Sequence, residues 1–217
     1  MKVSAPKQAG EQSVLWPFVN DRGFTRMAET RNYVGDFYEE VTKQVFPTSA
    51  RHQIDSQAEV CPDLSFGQRT FLEVKSVGAS RRSLIYSKRI VKDRAFANAQ
   101  EIDLFYVFWV HDARMVDCAT LFELRALLAA RTQAAFVVPL KALERWTMDH
   151  EARVLNYRIG TSTKSRVDMP GWAIPLADIK AMACQQSIAT WGCVAYGVQV
   201  PSVPLFVDYE WMHRRGR

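Results

Sequence analysis

Between Tyr33 and Phe46 the positions Val34, Tyr38, Val41, Thr42 and Val45 recur at helical spacing and form one stripe, so the segment predicts an amphipathic helix that Pro47 ends. From Val60 to Val77 the pattern switches to the two-residue alternation of strands, broken at Phe66-Gly67-Gln68-Arg69 by a turn signal. Glu59 to Leu64 and Arg69 to Val77 are therefore expected to pair antiparallel. A basic stretch from Ser80 to Tyr86 leads into a second helix from Ser87 to about Gln100. Leu104 to Val110 is apolar at every position, as a central strand covered on both faces must be. Leu121 to Ala130 reads as a helix. Beyond it short strands alternate with helical turns: Ala135 to Val138 then Leu140 to Trp146, Arg153 to Ile159, and Trp172 to Ile174 then Leu176 to Cys184. Val194 to Val207 reads as strand pieces broken by Gly197, Pro201 and Pro204.

This order of elements predicts an α/β fold with a mixed β-sheet flanked by helices. Residues 1–30 form an N-terminal arm, polar at its start and anchored by Leu15-Trp16-Pro17-Phe18. Residues 31–115 form the core, and residues 116–217 form an α+β extension that either completes the domain or serves specificity or dimerisation. With 217 residues, 48% hydrophobic and 24% charged, the chain can bury a core without disulfide or metal staples. Cys61, Cys118, Cys184 and Cys193 are widely spaced, form no CxxC pair and sit apart from the histidines, so reduced core cysteines are expected rather than a structural zinc. No apolar leader follows Met1-Lys2, and the longest apolar run, Leu104 to Val110, is too short to span a bilayer. An intracellular (cytoplasmic) protein with no membrane partner is the expectation.

The formal charge of +5 is unevenly placed. From Lys75 to Arg94 seven basic residues face the single acid Asp93, which leaves the rest of the chain close to neutral. A polyanionic partner is favoured by that concentration, although charge runs are also found on solvated helices. Immediately before it stand Cys61-Pro62-Asp63 and Glu73-Val74-Lys75. Residues two apart on a strand share a face, so Glu73 and Lys75 point one way with Phe71 and Val77, and Leu72 and Val74 the other. Pairing through the turn at Gly67 brings Asp63 close to Glu73. Two carboxylates and an ammonium at one sheet edge suit metal-assisted phosphodiester hydrolysis: hard oxygen ligands for Mg²⁺, and a cation to serve the attacking water or the transition-state charge. The competing reading of the same residues is a solvated strand edge and a Pro-Asp turn.

Gly35-Asp36-Phe37-Tyr38-Glu39 on a helix, then Pro62-Asp63, then Glu73-Val74-Lys75 on a strand resemble the PD-(D/E)XK nuclease superfamily, over about residues 33 to 110. The resemblance implies a restriction-endonuclease-like core and a Mg²⁺-dependent endodeoxyribonuclease, with Mn²⁺ as an alternative metal. It implies Glu39, Asp63, Glu73 and Lys75 as catalytic residues, and Asp63, Glu73, Val74 and Glu39 as the metal site. Arg81, Arg82, Lys88, Arg89 and Lys92 follow the strand bearing Glu73 and are expected to grip DNA. Glu39 is preferred to Glu40 because it borders the buried stripe, whereas Glu40 lies nearly opposite. A plain surface role, with Glu39 paired to Lys43, is the alternative. The family assignment leaves open a Holliday-junction or branched-DNA resolvase, a homodimer, or a subunit of a DNA-processing complex. A non-catalytic nucleic-acid-binding protein on the same scaffold, with Glu73 and Lys75 as a mere ion pair, is the rival from another class. A third reading gives the aromatic-rich C-terminal part to a protein partner.

Weaker signals are Gln100 as an extra polar residue by the metal, Tyr86 as a stacking residue, His111-Asp112 at the end of the central strand, and the basic loop Gly160 to Arg166 as a second phosphate contact. His52, His111, His150 and His213 show no ligand spacing.

Overall fold

The computed structural model describes residues 24–46, 49–51, 62–66, 69–78, 80–113, 118, 120–160, 166–183 and 186–208, with side chains described outside 24–32, 49–51 and 157–168. The first helix, α1 (Phe24–Val45), presents Val34, Phe37, Tyr38, Val41 and Val45 to the core. It begins upstream of the expected Tyr33. No proline or glycine interrupts Phe24 to Val34, and Met27, Ala28, Glu29 and Arg31 are good helix formers, so propensity carries the helix beyond its apolar stripe. The expected arm over residues 1–30 thus overlaps α1 from Phe24 onward; residues 1–23, with the Leu15 to Phe18 anchor, lie outside the described residues.

Seven strands form one mixed sheet: in chain order, β1 (Ser49–Arg51), β2 (Leu64–Phe66), β3 (Thr70–Val77), β5 (Asp103–His111), β6 (Thr132–Pro139), β9 (Ser187–Ala189) and β12 (Pro204–Phe206). Its spatial order is β1-β2-β3-β5-β6-β12-β9. Strand β3 runs parallel to β5 and β6 parallel to β12, and the other neighbours are antiparallel. The chain is thus α/β with a mixed sheet flanked by helices. Between β3 and β5 come β4 (Arg82–Tyr86) and α2 (Ser87–Gln100). Strand β4 leaves the main sheet for a three-stranded one, pairing with β8 (Arg166–Pro175), which pairs in turn with β7 (Leu155–Gly160). The sequence masks this strand because its charge hides an alternation in which Ser83 and Ile85 are buried.

The β2–β3 pairing forms as expected, with a shifted strand. Leu64 pairs with Leu72 and Phe66 with Thr70, so Phe66 belongs to the strand and not to the turn. Residues 59–61 and Gly67-Gln68 lie outside the described residues. Of the Gly160 to Arg166 loop, Gly160 closes β7 and Arg166 opens β8, and the rest is also outside them.

Helices α3 (Leu121–Arg131), α4 (Leu140–Asp149) and α5 (Leu176–Met182) match the expected segments. Thr120 starts α3 with a reciprocal capping box to Glu123, a signal readable from the sequence. A hairpin of β10 (Cys193–Ala195) and β11 (Val198–Val200) turns through Tyr196 and Gly197, both at positive φ, as a two-residue hairpin turn requires. Pro204, expected to break a strand, opens β12, where its missing N–H is tolerated at the first position.

The sheet separates two cores. One holds α1 and α3 against Leu72, Val74, Phe105, Val107 and Trp109. The other holds Phe71, Tyr106, Phe108 and Phe136 against Ile90 of α2, Leu143 of α4 and Ile179 of α5. Every residue from Leu104 to His111 is buried, which accounts for the unbroken apolar run. Cys118 and Cys193 are buried; Cys61 and Cys184 are outside the described residues. Among the described residues no helix is long and apolar enough to cross a membrane.

Candidate active site

Strand β2 begins at Leu64, opposite Leu72, so among the described residues the edge of β3 beyond Leu72 has no strand partner on that side. Asp63 fills the first place along it: the Val74 N–H donates to Asp63 Oδ2 at 2.7 Å. A residue's N–H and C=O leave a strand on the same edge, so the Val74 carbonyl emerges beside Asp63, while its side chain is buried in the α1 core. Glu73 and Lys75 point to the opposite face, and Lys75 Nζ donates to Glu73 Oε1. Glu73 is 2% exposed. Burial of such a carboxylate requires partners.

Its second partner comes from α2. Arg89 donates through Nη2 to Glu73 Oε2, and through Nε it pairs with Asp93 one turn later, at 2.9 Å from Oδ1. Asp93 is fully buried and accepts the hydroxyl proton of Tyr106, which neighbours Glu73 across the β3–β5 register. Burial opposes charge on Arg89, but Glu73 and Asp93 outweigh it and hold the guanidinium protonated. Burial also opposes the Lys75 ammonium, and the charges of Glu73 and Asp63 more than offset that, raising its pKa.

Asp63 is pushed the other way. Burial, reinforced by the charges of Glu73 and Glu39 and only partly relieved by Lys75 and the Val74 N–H, raises its carboxyl to about 7. Burial likewise raises Asp93 despite Arg89. Glu39 is therefore electrostatically coupled to Asp63, across from its helix. Glu40 is not in this group: its carboxylate accepts from Lys43 Nζ at 3.0 Å and Gln44 Nε2 at 3.1 Å, and these bonds outweigh partial burial and lower its pKa. Lys43 thus pairs with Glu40.

Among the described residues no three His, Cys, Asp or Glu side chains form a ready ligand cluster. Both oxygens of Glu73 are taken, by Lys75 and Arg89. The chemistry of the donor set still fits a hard divalent cation. Asp63, Glu73 and Asp93 stand against Lys75 and Arg89, with Glu39 also coupled to Asp63. A proton on Asp63 or a bound cation would relieve the repulsion among these carboxylates. A cation bound to Asp63 and the Val74 carbonyl would compete with Lys75 and Arg89 for Glu73.

The basic segment divides. Arg81, Arg82 and Lys88 are exposed and Lys92 is partly buried, whereas Arg89 is turned into the carboxylates. Asp93 and Tyr106 were missed by sequence reasoning. Their signal was present: Ile90, Asp93 and Ala97 share one face of α2, so an acid sits on its buried stripe. Gln100 is exposed at the far end of α2. Tyr86 is partly buried, ahead of α2. His111 is buried on the opposite sheet face, stacked on Tyr38, apart from the carboxylates. His150 stacks on Trp146 and bonds its carbonyl; His52 and His213 are outside the described residues. Comparisons with protein-family models, with curated proteins and with solved structures give no match.

Proposed function

We propose that this chain is a metal-dependent nuclease of the PD-(D/E)XK type, acting on DNA phosphodiester bonds with Mg²⁺ or Mn²⁺. The observation that carries the reading is the register of β2 on β3, which sets Asp63 beside Val74 and Glu73 with Lys75 on the same strand. Asp63, Glu73 and the Val74 carbonyl hold the metal, with Glu39 coupled to Asp63. When bound, the ion supplies positive charge to the phosphate and a more acidic water. Lys75, held protonated by its two acidic neighbours, orients the attacking water or stabilises charge on the phosphate oxygens. Arg89 positions Glu73 and ties it to Asp93 and Tyr106. Exposed Arg81, Arg82 and Lys88 contact the backbone.

One observation favours a second reading, a nucleic-acid-binding protein without catalysis: the double engagement of Glu73 by Lys75 and Arg89. The two separate in a gel assay on supercoiled, linear, single-stranded and four-way-junction DNA with Mg²⁺, Mn²⁺ or EDTA, run beside Lys75→Ala. Metal-dependent cutting lost in the variant supports the nuclease, and the preferred substrate distinguishes an endonuclease from a junction resolvase. Retention of DNA without cutting under any metal sinks it in favour of binding alone.

A further inference from the structure

A groove of about 470 Å³ lies on the same sheet face as Glu73 and Lys75. Its floor includes Val110, Ala134, Phe136 and Phe206, and its rim carries Arg81, Lys180 and the amide of Gln133. Register fixes where it sits. Lys75 neighbours Phe108, Phe108 neighbours Phe136, and Phe136 neighbours Phe206, one row across β3, β5, β6 and β12. At roughly 4.8 Å per strand, Phe206 lies about 14 Å from Lys75 along that row. Val110 neighbours Val77, two residues or about 7 Å further along β3. The groove therefore begins within a short stretch of nucleic acid from the candidate site.

Its chemistry is specific. The rings of Phe136 and Phe206 stack at 4.6 Å, and Lys180 Nζ sits 5.7 Å from the Phe136 ring centroid. Among the described residues, none that lines the groove is acidic. Arg81 is held at φ 52, a conformation rare for a residue with a side chain, by its N–H bond to the Gly78 carbonyl and by the Leu176 N–H bond to its own carbonyl, both 2.9 Å. Such backbone positions persist where the surrounding structure over-determines them, and they concentrate at functional sites. An apolar floor with a cationic rim is complementary to a ligand with one flat apolar face and an anionic edge. An unpaired nucleotide has both. An intact duplex keeps its bases stacked inside and offers the floor nothing.

We propose that this groove holds an unpaired nucleotide of the substrate strand beyond the point of cutting, its base against Phe206 and Pro204, with Phe136 buried beneath, and its phosphate between Arg81 and Lys180. The proposal rests on the nuclease reading for the identity of the strand, and it makes that substrate one with a single-stranded segment. The test is fluorescence anisotropy of the full chain with an oligo-dT strand and with a duplex of equal length, in EDTA so that cleavage plays no part. Lys180→Glu and Arg81→Asn, asparagine being tolerant of positive φ, are compared with Arg131→Glu at the end of α3 on the opposite sheet face. Each groove variant is expected to weaken single-strand binding about tenfold, and its salt slope falls by about 0.7 for each phosphate that is no longer neutralised. Lys180→Glu changes duplex binding less than twofold, and Arg131→Glu changes single-strand binding less than twofold. Unchanged single-strand affinity in both groove variants, an equal loss of duplex affinity in Lys180→Glu, or an equal loss of single-strand affinity in Arg131→Glu, overturns the proposal. Absence of cutting under any metal, with groove dependence of single-strand binding intact, removes the nuclease reading and leaves the groove standing.

Discussion

The two faces of the β3–β5 pair both bury polar side chains, and they do it in opposite ways. Towards α1 the groups are neutral. Trp109 Nε1 donates to Thr42 Oγ1 at 2.8 Å, Thr42 to the Tyr38 carbonyl at 2.6 Å, and the Tyr38 hydroxyl meets Thr132 Oγ1 at 3.1 Å. Each donor has an acceptor, so the network locks α1, β5 and the start of β6 in one arrangement without burying charge. Towards α2, Glu73, Lys75, Arg89, Asp93 and Tyr106 form a charged network with acids in excess once Asp63 and Glu39 are counted. Buried ion pairs of this kind are weak contributors to stability, and apolar replacements often do as well. A fold that already has a neutral way to fix its strands has no structural need of the charged one. On the proposed reading, stability rests on one face and chemistry on the other.

The largest effects expected are those that separate these roles. Trp109→Ala removes a fully buried ring and its bond to Thr42, and should destabilise the chain by about 3–5 kcal/mol in denaturant unfolding. Lys75→Ala on the charged face should lower metal-dependent cleavage by about 10²–10³-fold while costing about 2 kcal/mol of stability, less than Trp109→Ala, because Glu73 keeps Arg89. If Lys75→Ala unfolds the chain as Trp109→Ala does, the division of labour between the faces is wrong.

How far the sequence carried this division depends on the kind of signal. Asp63, Glu73 and Lys75 were legible because strand alternation and antiparallel register follow from local pattern, and the 64-to-72 pairing places them as the pattern implies. Glu39 over Glu40 followed from the helical wheel; Glu39 is electrostatically coupled to Asp63, and Glu40, expected to face solvent, is partly buried and paired with Lys43. Arg89 was read as part of an exposed run because charge content says nothing about which side of a helix a residue takes. Only the burial of Ile90, Asp93 and Ala97 orients α2 and turns Arg89 inward. The split of β4 into a second sheet and the pairing of β12 with β6 are contacts between residues far apart in the chain, for which local periodicity has no term.

Arg89 sharpens the comparison further. Because it holds the second oxygen of Glu73, it competes with any metal there. Arg89→Gln should therefore raise Mn²⁺ affinity several-fold, measured by the loss of free-ion EPR signal, and still reduce cleavage because Glu73 and Asp93 lose their common anchor. It should also destabilise the metal-free chain by about 2 kcal/mol, less than for a fully buried pair, since Arg89 is a quarter exposed. Unchanged Mn²⁺ affinity would show that Arg89 does not compete for Glu73.

The smallest effect, and the finest test of the contrast, is in pH. The candidate site and the α1 face each carry a group that titrates abnormally, and the signs are opposite. Burial and the neighbouring charges of Glu73 and Glu39 raise Asp63 from 3.8 to about 7, so the folded chain binds this proton more tightly than the unfolded one. Its contribution to stability is present in full below about pH 4 and is lost as pH rises through 7. His111 is lowered by burial from 6.5 to about 4, so its contribution is present above pH 6.5 and lost as pH falls through 4. The two cancel in part between these limits, which makes the variants more informative than the parent alone. In EDTA, the melting temperature of the parent relative to Asp63→Asn should fall as pH rises from 4 to 7, and relative to His111→Gln it should rise. After discounting for solvent screening each amounts to about 1 kcal/mol, or ~2–4 °C in Tm. Mg²⁺ should reverse the first trend and leave the second untouched, because a cation takes the place of the Asp63 proton, and His111 lies on the far face of the sheet. Parallel slopes in the two variants, or a Mg²⁺ effect that survives Asp63→Asn, would break the assignment of the metal to the Asp63 edge of the sheet.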